Sequence, residues 1–191
     1  MGPFWAHLDH AIKVRLPIVI GVVLLAVLFT GIVTDPVRRA IGYEPTQPID
    51  FSHQQHAGDL RIDCRYCHTG VETSRDAGIP AVSICMNCHS VAAIDSPGVA
   101  QLRLLYEQNK PIVWKRIHRL PDFVYFSHSS HIQAGVDCAV CHGDVAQMDV
   151  VRQVHPLTMR SCLDCHRNPH DFAVGLATDL KGSETCTTCH R

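Results

Sequence analysis

The chain has 191 residues and a formal net charge of -1, with 17 Lys and Arg set against 18 Asp and Glu. The two signs are mixed along its length, which excludes a nucleic-acid footprint and gives no sign of a polyanionic partner. Its 10 Cys and 14 His are unusual, and every cysteine lies beyond residue 60, so the first fifth of the chain and the remainder are different kinds of polypeptide.

From Leu16 to Thr34 the sequence LPIVIGVVLLAVLFTGIVT carries no charge. About 19 residues at roughly 1.5 Å rise each approach the ~30 Å hydrocarbon core of a bilayer, which predicts a transmembrane anchor over 16–34. Pro17 sits in the first turn, where a missing N–H costs little, and Asp35-Pro36 ends the helix. A cleaved signal peptide has a shorter apolar region and a small-residue cleavage site. The run here is longer and leads into Asp-Pro-Val-Arg-Arg, which favours an uncleaved anchor. Lys13 and Arg15 on one side are matched by Arg38 and Arg39 on the other, so basic residues do not orient the span. It contains no ionisable side chain, and the helix by itself offers no proton or quinone chemistry.

All ten cysteines fall in C-x-x-C pairs, and each pair is followed at once by histidine. The five motifs are Cys64, Cys67 and His68; Cys85, Cys88 and His89; Cys138, Cys141 and His142; Cys162, Cys165 and His166; and Cys186, Cys189 and His190. Two cysteines three positions apart can form thioethers to both vinyl groups of one haem, and the next histidine is then placed to ligate the iron. Five motifs therefore predict five covalently attached c-type haems. Paired C-x-x-C motifs also build zinc sites, but a thiolate zinc site has no need of the histidine. With 14 His in 191 residues, five chance followers in five have odds on the order of one in a million. A C-x-x-C disulfide closes too short a loop to hold a fold of this size. Haem attachment of this kind takes place on the outer face of an energy-conserving membrane. It orients the chain in the inner membrane, with residues 1–15 cytoplasmic and the haem-bearing part periplasmic.

Nine further histidines remain, of which His7 and His10 precede the span. The segments FSHQQH (51–56) and FSHSSH (126–131) match each other, and each precedes a C-x-x-C-H, with a second motif 21 or 24 residues further on. This is a two-copy repeat, 51–90 and 126–167, with a fifth motif appended over 168–191. In F-x-H-x-x-H the two histidines are one helical turn apart and can serve two haems, with the phenylalanine free to pack on a macrocycle. His53, His56, His128 and His131 are thus candidate distal ligands, and His118, between the copies, is a fifth. His155 and His170 rank lower. Thioether sulfur is an alternative sixth ligand that raises the reduction potential, which keeps Met148 and Met159 in consideration.

About 150 residues for five haems is too little chain to wrap each one in its own apolar core, so the haems must form the core. The expected fold is a compact, loop-rich, mainly α domain over 51–191, joined by a linker over 35–50 to the anchor, with short helices around each motif. One longer helix is predicted over about 97–109, from the Ser96-Pro97 start to the stop at Pro111.

The paired F-x-H-x-x-H and C-x-x-C-H arrangement resembles the class III, c3/c7-type multihaem cytochromes over nearly the whole outer domain. With the uncleaved anchor, five motifs and the stretch RIHRLPDFVYFSHSSHIQAGVDCAVCHGDVAQMDVVRQVHPLTMRSCLDCHR, the chain is similar to the pentahaem cytochrome subunits of alternative complex III. The resemblance implies an electron-transfer subunit among other subunits of a quinol-oxidising membrane complex, delivering electrons to a cytochrome c, a copper protein or a terminal oxidase. One position departs from that pattern. Phe123 stands where the resemblance leads one to expect histidine, which removes a possible ligand without leaving a haem short of candidates.

Two other functions compete. A free-standing membrane-anchored quinol dehydrogenase is disfavoured by the bare anchor. A multihaem reductase needs an open iron position, commonly with an altered proximal motif, whereas all five motifs here end in His and distal candidates are in surplus.

Overall fold

The computed structural model describes residues 11–34, 41–177 and 179–190. His7, His10, the rest of the expected cytoplasmic segment up to residue 10, and the first part of the expected linker lie outside the described residues. The chain divides into two units, Met1–Arg39 and Ala40–Arg191.

In the first unit a π-helical turn, Ala11–Arg15, runs into α1, Leu16–Thr34. The stretch Ile12–Thr34 has a mean hydropathy of 2.8, long and apolar enough to cross a bilayer. None of the α1 side chains is buried within the unit, and leucine, valine, isoleucine and phenylalanine point outward all round. A helix that is apolar on every face suits a membrane span, a signal sequence or the core of a larger assembly. Thr30 and Thr34 hydroxyls donate to the carbonyls of Ala26 and Thr30, both at 2.7 Å, so these polar groups are satisfied inside the helix.

The second unit is mainly helical and loop-rich. Among the described residues it has no strand, and the only pairing of that kind is an antiparallel bridge between Val124 and His190. Its α-helices are α2 (Cys64–Cys67), α3 (Val82–His89), α4 (Pro97–Glu107), α5 (His128–Gln133), α6 (Cys138–His142), α7 (Met159–Arg167) and α8 (Cys186–Cys189). A π-helical turn covers Gln54–Asp59, and 3-10 turns cover Val145–Gln147 and Pro169–Asp171.

Each C-x-x-C-H occupies a helical turn, and side-chain capping starts three of the five. Asp63 accepts from the Arg65 amide and Asp137 from the Ala139 amide, both at 2.8 Å, starting α2 and α6 one residue before the first cysteine. Thr158 and Ser161 form a reciprocal capping box at the start of α7. The long helix α4 begins at Pro97 as predicted but ends at Glu107. Asn109 takes a left-handed φ of 50°, while Lys110 N donates to Leu105 O at 2.8 Å and Asn109 N to Tyr106 O at 3.0 Å. That Schellman ending stops the helix before Pro111 is reached.

The apolar core is small. Eight hydrophobic side chains are buried among the described residues, and Ile49, Val82 and Leu102 form its cluster, with Trp114, Leu105 and Ile112 against it. The stretch expected as linker is packed from Gly42 onward. Gly42 N donates to Gln153 O at 2.8 Å, and the Gln47 side chain bonds both the carbonyl and the amide of Lys115, at 3.0 and 2.9 Å.

The two repeat copies lean on each other reciprocally. The F-x-H-x-x-H segment of the first copy rests on the chain just after the first motif of the second. Gln54 N donates to Met148 O at 2.9 Å, and Ser52 Oγ donates to the Asp149 carboxylate. The F-x-H-x-x-H segment of the second copy rests on the chain just after the first motif of the first. His128 N donates to Arg75 O at 3.0 Å and Ser129 N to Ser74 O at 3.1 Å.

Candidate functional site

None of the ten cysteines is in a disulfide, so each C-x-x-C pair is available to a haem. Burial pushes the Cys67, Cys85, Cys138, Cys141, Cys162 and Cys165 thiols above their ordinary value. Neighbouring thiols add to this, and which ones do so traces a path. Cys67 interacts with Cys88, and Cys85 with Cys67, while Asn87 Nδ2 donates to the Tyr66 hydroxyl at 3.0 Å, so the first two motifs are adjacent. Cys138 interacts with Cys64, Cys141 with Cys165 and Cys162, and Cys162 with Cys189. The motifs therefore follow one another in space in the order two, one, three, four, five.

The histidines share a hydrogen-bonding device. Nδ1 of His68 lies 2.6 Å from Gly78 O, His89 Nδ1 is 3.2 Å from Ala92 O, and His166 Nδ1 is 2.7 Å from Ser183 O. Among the distal candidates, His56 Nδ1 is 2.8 Å from Ser52 O, His128 Nδ1 2.8 Å from Arg75 O and His131 Nδ1 2.8 Å from Ser127 O. A carbonyl only accepts, so Nδ1 carries the proton in each ring and Nε2 keeps its lone pair for a metal. The serine before each H-x-x-H is part of the same device. Ser52 Oγ accepts from Gln55 N at 3.0 Å and Ser127 Oγ from Ser130 N at 3.4 Å, which fixes the turn that carries both histidines.

The rings are arranged as facing pairs. His56 and His89 have ring centres 6.0 Å apart, His131 and His166 6.0 Å, and His128 and His142 6.3 Å. Two imidazole–metal bonds of about 2 Å plus the ring radii require centres about 6 Å apart. The phenylalanines repeat as faithfully. Phe51 is stacked on His56 at 4.4 Å and edge-on to His53 at 4.8 Å, and Phe126 is stacked on His131 at 4.4 Å and edge-on to His128 at 4.9 Å.

Burial keeps several of these rings neutral. It pushes His53 down to about 4, with His68 and His56 adding to the effect. It pushes His142 down to about 4 as well, with His118, His128 and His68 adding. Burial also lowers His118 and His131. Neutral imidazole is the form that binds a metal.

The remaining candidates are placed differently. His118 lies edge-on to His142 with ring centres 4.3 Å apart, too close for a metal between the two, and its Nε2 is buried without a hydrogen-bond partner. Met148 is buried beside Gly143, at the end of α6. Met159 is exposed at the start of α7, and His155 and His170 are exposed. Sequence reasoning missed the carbonyls that fix the rings. The shared F-S-H spelling of the two segments was the signal for Ser52 and Ser127. It also missed that Phe123 stacks on His190, with ring centres 5.8 Å apart.

These residues suit c-type haem. Thiol pairs sit one turn before a histidine, six imidazoles are held with Nε2 free, and His53 Nδ1 and His118 Nε2 are buried polar atoms without partners. Among the described residues no three His, Cys, Asp or Glu converge as a tetrahedral zinc site needs.

The comparisons with known proteins fit this geometry. Residues 31–112 match the class III cytochrome C family, and residues 124–191 match cytochrome c7 and related cytochrome c. The two matches contain the two repeat copies and leave between them the stretch with His118 and Phe123. The chain is also similar to the menaquinone reductase multihaem cytochrome c subunit of Nitratidesulfovibrio vulgaris, 30% identical over 166 residues that cover 76% of this chain and 77% of the relative. The fold and site define an electron-transfer protein with covalently attached c-type haems. The chain belongs to the class III/c7-type multihaem cytochromes c.

Proposed function

We propose that this chain is the electron-transfer subunit of a quinone-linked membrane oxidoreductase, relaying electrons through five haems between a neighbouring quinone-handling subunit and a cytochrome c, copper protein or terminal oxidase. Residues 16–34 anchor it in the inner membrane, with 1–15 cytoplasmic and the haem domain, 51–191, periplasmic. The five cysteine pairs hold the haems, and His68, His89, His142, His166 and His190 are the proximal ligands. His56 is distal to His89, His128 to His142 and His131 to His166. His53, electrostatically coupled to His68, serves the first haem.

Each haem, when bound, supplies an iron that changes oxidation state by one electron. The chain's own residues do the rest. Backbone carbonyls on Nδ1 set the ring orientations and raise the basicity of Nε2. Exclusion of water around His53 and His142 keeps those imidazoles uncharged. The contiguous run of motifs keeps neighbouring haems within reach of one another. The observation that carries this reading is the recurrence of histidine pairs with ring centres about 6 Å apart, matching two imidazole–metal bonds, at three motifs in succession. The quinone linkage rests on the relative, which is named as a subunit of a menaquinone reductase.

The test is isolation of the intact complex from gently solubilised membranes, followed by reduced-minus-oxidised spectra with quinol as donor. Reduction of the haems only while partner subunits remain attached is the expected result. Quinol reduction of the isolated chain would move the assignment to a free-standing quinol dehydrogenase.

A further inference from the structure

The stretch from Lys110 to Arg119, KPIVWKRIHR, carries four cations and no acidic residue in a chain whose net charge is -1. It follows α4 as an irregular segment without helix or strand, and its two faces differ in chemistry. Ile112 and Trp114 pack against the core cluster, and Ile117 and His118 are half-buried. Lys110, Val113, Lys115, Arg116 and Arg119 are exposed, Val113 at 80%. Gln47 fixes this register, because its side chain bonds both the amide and the carbonyl of Lys115. Among the described residues no acid neutralises the outer face. The ion pairs there lie elsewhere, and Arg116 Nε donates to a carbonyl, that of His118, at 3.1 Å. Glu44 and Asp50 share a cavity with Trp114 and Ile117 on the inner side, where Glu44 is paired with Arg152 at 3.8 Å.

The inner face rests on the rings assigned to the haems. Trp114 meets Phe51 with ring centres 6.4 Å apart, Phe51 in turn touches His53 and His56, and His118 touches His142. A basic outer surface therefore lies over ligands of the first three centres. Most of it falls between the two family matches, 31–112 and 124–191.

We propose that the outer face of residues 110–119 docks a separately diffusing electron-transfer protein that has an acidic face. The proposal rests on the relay role given under Proposed function and adds the partner's charge and the place where it docks. The oxidised partner takes one electron at a time from the reduced haem domain, and no bond is made or broken. Charge complementarity selects the partner, since unpaired cations draw in carboxylates across about 10 Å at ~0.1 M salt. A permanent subunit contact is more apolar and would strand lysine in a dry interface, whereas Val113 is the single exposed large hydrophobic residue of the stretch. Attachment to a bilayer surface likewise combines cations with buried apolar area, of which one valine supplies little.

The experiment uses the full-length protein in its native complex. The haems are reduced with dithionite, which keeps the result independent of the quinone linkage, and excess reductant is removed. The complex is then mixed in a stopped-flow instrument with one of two probes, a soluble basic cytochrome c or the same protein made acidic by succinylation of its lysines. Each probe is compared with itself across variants, so any difference in driving force between the two cancels. Lys115→Glu with Arg119→Glu is expected to slow the acidic probe about tenfold at low salt, and the deficit closes by about 0.5 M salt. The basic probe is not slowed. Lys115→Gln with Arg119→Gln falls between, which guards against misfolding of the reversed pair. Arg160→Glu with Lys181→Glu changes net charge equally on other exposed elements and leaves the acidic probe's rate as in the wild type. Equal slowing by the two reversed pairs reduces the effect to net charge and overturns the proposal, as does an unchanged rate with both probes. Acetylation of Lys110 and Lys115 distinguishes the other occupants. Shielding in nanodiscs containing phosphatidylglycerol but not in pure phosphatidylcholine assigns the face to anionic lipid, and shielding in the intact complex in detergent assigns it to a neighbouring subunit. Either result overturns the proposal while leaving the relay reading to its own quinol test.

Discussion

Replacing Gly182 by alanine tests how tightly the fourth centre is built. An ideal Cβ on residue 182 falls 2.6 Å from both Cβ and Cδ2 of His166, whereas carbon atoms settle at about 3.5–4.0 Å. Either the imidazole or the local backbone must therefore yield by about 1 Å. Neither is free to do so. His166 Nδ1 is held on Ser183 O at 2.7 Å, Gly182 N donates to His166 O at 3.0 Å, and Arg167 pairs with Glu184 at 2.7 Å just beyond. Overpacking of this kind costs about 1–3 kcal/mol, which at about 2–4 °C per kcal/mol lowers the melting temperature by roughly 2–12 °C. A ligand displaced by more than about 0.5 Å also leaves its productive geometry, so one low-spin EPR signal of the oxidised protein shifts while the others stay. Gly98→Ala is the control. Its Cβ would meet Ile49 at 3.7 Å, an ordinary contact, near the start of α4. A Gly182→Ala protein that melts with the wild type and gives an unchanged EPR spectrum would refute the close approach of residue 182 to the His166 ring.

Other substitutions read other parts of the structure. His131→Met exchanges a facing imidazole for a thioether, and a redox titration is expected to show one haem moved to higher potential; a titration curve identical to the wild type would remove His131 from the ligand set. Thr158→Ala deletes the capping box at the start of α7 and is expected to cost about 1 kcal/mol in thermal melting. Exchanging Arg167 and Glu184 singly and together in a double-mutant cycle is expected to give a coupling below about 1 kcal/mol that fades with salt, because both side chains are about half exposed. Alkaline carbonate washing of membranes is expected to leave the chain in the pellet, held by α1; its appearance in the wash would count against an anchor.

The parts legible in the sequence are those set by neighbours along the chain. The charge-free run gives α1, and Ser96-Pro97 gives the start of α4. The C-x-x-C-H spelling gives five helical turns, three of which have caps, Asp63, Asp137 and Thr158, within a few residues of the cysteines. The end of α4 is two residues short of expectation because Asn109 accepts a left-handed conformation that the sequence permits without announcing. The pairing of histidines was not legible at all. His56 and His89, or His131 and His166, lie some 33 or 35 residues apart within one copy and meet only when that copy folds on itself, which no local pattern encodes. The same holds for Phe123. Sequence shows a residue with no lone pair, and only the bridge to His190 shows which motif it lies against. The π-helical turn at Gln54–Asp59 was unforeseen, although its counterpart α5 is regular and the two present their histidines alike.

The reciprocal contact of the two copies has a consequence for direction. Each copy's first motif lies at the join and its second motif lies outermost, so the four-motif stretch is built like a small two-fold dimer fused into one chain. Such a stretch reads the same from either end, and duplication alone supplies length without polarity. The appended segment from Pro169 to His190 lies against the second copy, with Cys189 beside Cys162 and Gly182 N on His166 O, and against the chain just before that copy at Val124 and Tyr125. It makes the two outlets chemically unequal, one finished by an imidazole pair and the other by an imidazole facing a benzene ring. A conduit that began as a palindrome has thereby acquired a front and a back.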